Sequence, residues 1–302
     1  MFTVFRIFHG FAFGTVTIAG NTLIIDIMPA SRRGEGLGYY GLSNNFAMAI
    51  GPMVGMYLHD HYSYNTIFYT ALIIGFVAFI AGNCIKTKPK PPVPKEPISL
   101  DRFLLVKGIP AGINFLITAV PYGITTTYIA LYAKELNITG KTGIFYLAMA
   151  VGIALSRLFS GKQVDRGKLT QVIALGIAIA ALSYTLLGAI NYLPDPAITK
   201  ILFYFSALLI GIGYGSIFPA MNSLFVALAP NNKRGTATST YLISWDMGIG
   251  IGLLFGGVIS EWFNFSVVFI IGGILNAAAV LMFIYFTATH FLKNKMIDKC
   301  DQ

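Results

Sequence analysis

Arg6 and Asp246 are charged side chains set within long, largely apolar stretches. Arg6 lies in the run Phe5–Met28, and Asp246 lies about ten residues into the run Ala237–Ile259. A charge in the interior of a bilayer costs at least about 2.5–3.5 kcal/mol on insertion scales, so such residues call for a functional explanation. At about 1.5 Å per helical residue, Asp246 is roughly 15 Å from the membrane edge, near the midplane. An acid there is neutral or paired, and a group that gains and loses a proton can carry a coupling proton. The alternative for Asp246 is a hydrogen bond to Ser244 or to a neighbouring helix. Arg6 either serves a function inside the membrane or snorkels to the outer interface.

Amides and rings make a second set. Asn21 and Asn222 lie deep in their segments, where an amide needs a partner, either a substrate group or another side chain. With Asn44, Asn45, Asn114, Tyr122, Tyr128, Phe218 and Tyr241, they are candidates to line a mixed aromatic and polar cavity. Each amide can equally be structural. Nothing points to catalysis: no HExxH or GxSxG pattern occurs. Cys84 and Cys300 have no His or Cys neighbour to form a metal site, so no metal and no cofactor is expected. Gly211, Gly213 and Gly215 imitate a phosphate loop but follow no strand, and small-residue packing accounts for them.

The elements that hold these residues follow from composition. Hydrophobic residues make up 56% of the 302 and charged residues 11%, against about 25% charged in a soluble domain. Lipid must be the solvent. Nine apolar stretches are long enough to cross a hydrocarbon core of about 30 Å: Phe5–Met28, Leu37–Leu58, Thr66–Ile85, Phe103–Ala133, Thr142–Ser160, Val172–Ile190, Ile201–Leu228, Ala237–Ile259 and Ser266–Thr287. Backbone groups in lipid pair within the segment, so all nine are read as helices. The fold class is an all-α membrane protein.

Basic residues alternate from loop to loop. Arg32 and Arg33, Lys86 through Lys107, Arg157 through Lys168, Lys233 and Arg234, and Lys293 through Lys299 hold 17 of the 21 Lys and Arg. The positive-inside rule makes these flanks cytoplasmic, with the N-terminus outside and the C-terminus inside. The net charge of +9 therefore reports orientation and no nucleic-acid surface. Residues 86–102, with five prolines among lysines, read as an extended cytoplasmic linker.

A shift of 201 residues aligns two parts of the chain. Gly10 falls on Gly211, Gly14 on Gly215, Asn21 on Asn222, Pro29 on Pro230, Arg33 on Arg234, Asn45 on Asp246, Gly51 on Gly252 and Gly55 on Gly256. This is a parallel repeat of the kind found between the halves of some transporters. It pairs helices one to three with seven to nine. The expected organisation is then 1–85 as the last three helices of a first six-helix half, 86–102 as the linker, 103–288 as a complete second half, and 289–302 as a cytoplasmic tail. The first half is expected to lack three opening helices, about 100 residues upstream of Met1.

Two repeats of six helices joined by a basic loop resemble the major facilitator superfamily. Arg6, Gly10 and Gly14 are similar to the arginine-glycine pattern of that family's fourth helix. Gly51-Pro52 and Gly55 resemble the Gly-Pro pattern that accompanies antiporters on the fifth helix, although Ala47 and Met56 replace glycines. Gly161 with Asp165-Arg166-Gly167-Lys168 looks like the loop motif of the second half, one residue short.

The resemblance implies a transporter working by alternating access, and the antiporter pattern tilts it towards proton-coupled efflux of small organic molecules. It implies that Arg6 tunes an acidic proton carrier, with Asp246 the embedded acid in this chain. It implies that Asp26 with Arg33, and Asp165 with Arg166, latch the cytoplasmic side, where plain solvated charges are the alternative. Gly51, Pro52 and Gly55 would seal the halves together, or merely pack a helix. A symporter or uniporter importing a sugar or organic acid, or an inactive truncated remnant, is the competing reading. The expected partners are a small-molecule substrate, a proton and the bilayer, with no nucleic acid, in a monomer at the plasma membrane.

Overall fold

The computed structural model describes residues 1–27, 33–85, 104–138, 142–230 and 233–296. Among these residues the regular elements are all helical. They are α1 (Phe2–Ile27), α2 (Arg33–His61), α3 (Tyr64–Asn83), α4 (Ile109–Glu135), α5 (Thr142–Asp165), α6 (Leu169–Ala189), α7 (Pro196–Ala227), α8 (Arg234–Trp262), α9 (Phe265–Met282) and α10 (Ala288–Asn294). A π-helical turn, Phe283–Thr287, joins α9 to α10 without a break. The described chain is therefore nine rods, one for each apolar stretch. Seven are long and apolar enough to span a membrane by length and composition; α1 and α2, the other two, are helices of 26 and 29 residues. The last rod runs to Asn294, beyond the expected boundary at 288. The linker 86–102 lies outside the described residues.

Local chemistry sets several of the helix starts. Asp195 accepts a hydrogen bond from the Ala197 amide (2.8 Å) just before Pro196, which lacks the N–H that a first turn cannot use. The Asn264 side chain accepts from the Val267 amide (3.0 Å) and begins α9. The 201-residue shift is visible in the helix limits themselves. It carries Arg33 and His61, the ends of α2, onto Arg234 and Trp262, the ends of α8, and carries Tyr64, the start of α3, onto Phe265, the start of α9.

The helices α4 to α9 pack as one bundle: α4 lies against α8 and α9, α5 against α7, and α6 against both α7 and α9. Lipid-embedded helices gain little from excluding apolar surface from lipid, so close backbone approach through small residues holds them together. A Cβ on Gly211 would strike the Met149 carbonyl of α5, and one on Gly215 would strike Ser156 and Ile153. Gly213, between them, turns instead to α6, where a Cβ would come within 2.9 Å of the Gly176 carbonyl. The glycine triplet of α7 is thus a two-sided packing surface. Gly248 and Gly252 do the same for α8 against the Leu116 and Val120 carbonyls of α4.

The core belongs to this bundle. Phe115, Tyr132, Tyr184, Phe203, Tyr214, Phe225 and Phe269 are fully shielded. By contrast, α1 touches α2, α2 touches α3 and α5, and α3 has no buried residue at all. A Cβ on Gly10 or Gly14, repeat mates of Gly211 and Gly215, would meet no described atom within 4 Å, where their mates meet backbone.

Candidate functional site

Six aromatic rings from three helices meet inside the bundle. Phe115 and Tyr122 come from α4, Tyr214 and Phe218 from α7, and Tyr241 and Trp245 from α8. Trp245 lies edge-on to Phe218 (ring centroids 4.5 Å apart), and Tyr122 lies 4.8 Å from Tyr214. Phe115 stacks on Tyr241 at 4.9 Å with only 17° between planes. Offset and edge-to-face contacts of this kind fix ring positions beyond simple area burial. The chain has two tryptophans, and Trp245 is the one buried here, next to the Asp246 position. Phe115, Tyr214 and Trp245 were not among the residues picked from the sequence; their only advance signal was Trp245 beside a membrane-embedded acid.

The expected cavity residues divide. Tyr122, Phe218 and Tyr241 belong to the ring cluster. Asn114 does not open to a cavity: it is fully buried, and its amide donates to the Ala279 carbonyl of α9 (2.7 Å), tying two helices. Tyr128 is likewise a brace, its hydroxyl donating to the Leu253 carbonyl of α8 (2.7 Å). Asn222 is half-buried on α7, and its side-chain oxygen has no hydrogen-bond partner. Asn21 and Asn45 lie on α1 and α2, with side chains outside the described residues, as do those of Asp26, Arg33 and Asp165.

Asp246 is carried by α8 on an exposed position of the bundle. The Ser244 hydroxyl donates to the Thr240 carbonyl (2.8 Å), so the alternative in which Ser244 serves Asp246 is not the arrangement found. Arg6 is exposed on α1. Arg166 is exposed just beyond α5, before Gly167, whose φ of +78° suits a residue without a side chain. Pro52 is half-buried inside α2, while a Cβ on Gly51 or Gly55 would meet no described atom within 4 Å.

Arg157 differs from its reading as a cytoplasmic flank. It lies inside α5, two turns before the helix ends, and is half-buried. The run Thr142–Ser160 already contains Arg157, but the count of basic flanks groups it with Lys162, Arg166 and Lys168, near the end of the run.

A separate cavity of about 570 Å³ lies where the end of α2 meets the ends of α4 and α5, lined by His59, Asp60, His61, Lys134 and Thr142 among others. His59 bridges Asp60 and the Tyr64 hydroxyl (3.1 Å each), and His61 donates through Nδ1 to the Tyr57 carbonyl (3.0 Å). Among the described residues no three metal-ligating side chains converge.

Comparison with known proteins decides what family builds this bundle. The family model of the Major Facilitator Superfamily matches residues 1–246 and again 150–295. The chain belongs to the Major Facilitator Superfamily. It is similar to the staphylopine export protein of Staphylococcus aureus (23% identity, covering 92% of this chain and 72% of that one). It is also similar to the multidrug resistance protein MdtG of Escherichia coli (28% identity, 89% and 67%). An uncharacterized MFS-type transporter of Methanocaldococcus jannaschii shares 27% identity over 91% of this chain and 74% of its own. Among solved structures, a bacterial homologue of the human lysosomal transporter Spinster, inward-facing and unoccupied, has the same fold (TM-score 0.54, 14% identity, covering 92% of this chain and 75% of that one). The chain is thus a multi-pass membrane protein of a transporter superfamily, spanning between 67% and 75% of the lengths of these relatives.

Proposed function

We propose that this superfamily member exports small amphiphilic organic molecules in exchange for protons, by rocking its two halves about a site near the membrane midplane. The observation that carries the reading is the juxtaposition on α8 of a buried ring cluster and a carboxylate at the next position, Trp245 and Asp246. Rings accept flat apolar bodies of many shapes, while an embedded acid supplies a proton site. The antiporter-like Gly51-Pro52-Gly55 pattern and the two relatives named for export and drug resistance support the direction.

The organisation that goes with it is residues 1–85 as part of the first half, 86–102 as linker and 103–288 as the second half. The N-terminus then faces outward and the C-terminus inward, in a plasma-membrane monomer. Asp26 with Arg33, and Asp165 with Arg166, latch the cytoplasmic side when the outer side opens.

Proteoliposomes with an imposed pH gradient test the coupling. Asp246→Asn is expected to flatten the pH dependence of substrate movement. Arg6→Ala is expected to abolish gradient-driven accumulation more than downhill exchange, because a nearby cation favours the deprotonated acid. Accumulation equal to the parent in both variants would remove proton coupling through these residues and favour a facilitator or importer.

A further inference from the structure

The glycine-lined seam between α5 and α7 changes character towards the end that carries Asp165. Gly152 meets Leu208 and Ile212, then Gly215 meets Ile153 and Ser156. One to two turns further in the same register stand Ser160 and Gln163 on α5 and Asn222 on α7. Arg157 Nε, Ser160 Oγ, Gln163 Oε1 and Asn222 Oδ1 are all buried without a hydrogen-bond partner among the described residues. Ser160 retains only 6% of its exposure. Five other such atoms are scattered over Asn114, Arg234, Asn276 and Thr287, whereas these four share one seam, where each forfeits its hydration without a described partner.

The guanidinium sharpens the point. It lies within a membrane-spanning helix, where an unmatched charge is costly, and no described carboxylate forms an ion pair with it. On α7, Asn222 stands one helical turn beyond Phe218, which links this corner to the ring cluster. A planar fork of N–H donors flanked by a hydroxyl and two amides matches a carboxylate with further polar groups.

We propose that Arg157, with Ser160, Gln163 and Asn222, forms a site for the carboxylate of the transported molecule, whose apolar part lies on the rings of Tyr241 and Trp245. This inference rests on the transport reading and gives it a substrate class: amphiphilic organic acids. Arg157 supplies the charge and, with the Ser160 hydroxyl, donates to the carboxylate oxygens, while the Gln163 and Asn222 side-chain oxygens accept from N–H or O–H groups next to the carboxylate. Asp246 stays outside this contact and remains available for a proton.

The test uses the whole chain in lipid nanodiscs, with Trp262→Phe leaving Trp245 as the single tryptophan reporter. Trp262 is exposed at the end of α8, remote from the rings. The probes are p-nitrobenzoate and p-nitrobenzamide, which share a quenching ring and differ in charge. The expected result is that the carboxylate binds at least about tenfold more tightly than the amide, the scale of a charge-assisted contact. Arg157→Gln should erase that preference, and a thermal unfolding transition equal to the parent's certifies the fold. Arg157→Lys should keep part of it, since it retains the charge without the fork. Equal binding of the two probes by the parent chain overturns the proposal, because a merely hydrated seam makes no such distinction. Loss of both probes in Arg157→Gln, with Arg157→Lys retaining the parent's full preference, also overturns the role of the fork. The transport reading fails separately: a carboxylate preference without any probe exchange in proteoliposomes leaves the site standing and removes the transport. Exchange of an organic cation unaffected by Arg157→Gln, without carboxylate preference, does the reverse.

Discussion

Replacing Gly211 by alanine tests whether the bundle is held by backbone contact. A Cβ there points at the Met149 carbonyl and lies 3.0 Å from the Gly152 Cα, so both obstacles are backbone and neither can rotate away. The helices α5 and α7 must separate along the seam, and overpacking of this kind costs about 1–3 kcal/mol. Against that, alanine favours the helix by about 0.8–1.0 kcal/mol over glycine. The comparison position is the repeat mate Gly10, with the same helix-propensity gain and no described atom within 4 Å of an added Cβ. Thermal unfolding of the full chain in one detergent separates the two terms. With about 2–4 °C for each kcal/mol, Gly211→Ala should lower the transition by several degrees relative to Gly10→Ala, which should match or exceed the parent. Equal transitions for the two variants would refute the claim that direct backbone contact, and not general apolarity, joins α5 to α7.

Three further outcomes are expected. Tyr132→Phe keeps the ring, removes the hydroxyl that donates to the Leu187 carbonyl (2.8 Å) and should cost about 0.6 kcal/mol, the average for hydrogen bonds between membrane helices; no loss at all in detergent unfolding would mean the ring and not the hydroxyl carries the contact. In a background with Cys84 and Cys300 replaced by serine, a cysteine at Pro92 should resist impermeant maleimide from outside cells, and labelling there would reverse the orientation. Asp246→Asn should shift the pH profile of transport more than its rate at the optimum, and an unchanged profile in proteoliposomes would take Asp246 out of coupling.

The spans were legible because lipid demands long unbroken apolar runs, and the 201-residue repeat was legible because Asn21 and Asn222, or Arg33 and Arg234, interrupt those runs in the same register. The helix limits of α2 and α8 carry that register into the structure. Which face of each helix turns inward was hidden. A membrane helix meets apolar surroundings on every side, so the polar-apolar asymmetry that orients a soluble helix fades, and small residues mark the contacts instead. The sequence therefore leaves Asn114 and Tyr128 between cavity lining and a structural role, and in the fold they brace α4 against α9 and α8. Arg157 counts with the basic flank of the fifth stretch because it lies three residues from that stretch's end at Ser160, and the helix runs on to Asp165, two turns beyond it.

The hydroxyls of Tyr128, Tyr132 and Tyr214 all reach a backbone carbonyl on another helix, at Leu253, Leu187 and Thr118. Such a carbonyl already accepts its own helix's bond, so the added donor does little for overall stability and much for azimuth. Each ring pins the rotation of one rod against its neighbour's main chain, where no rotamer change can slip it. Torque applied to α8 is then handed to α4, and from α4 through Tyr132 to α6 and through Thr118 to α7. A body geared in this way turns without shearing internally, which concentrates any relative motion at the contact of α2 with α5.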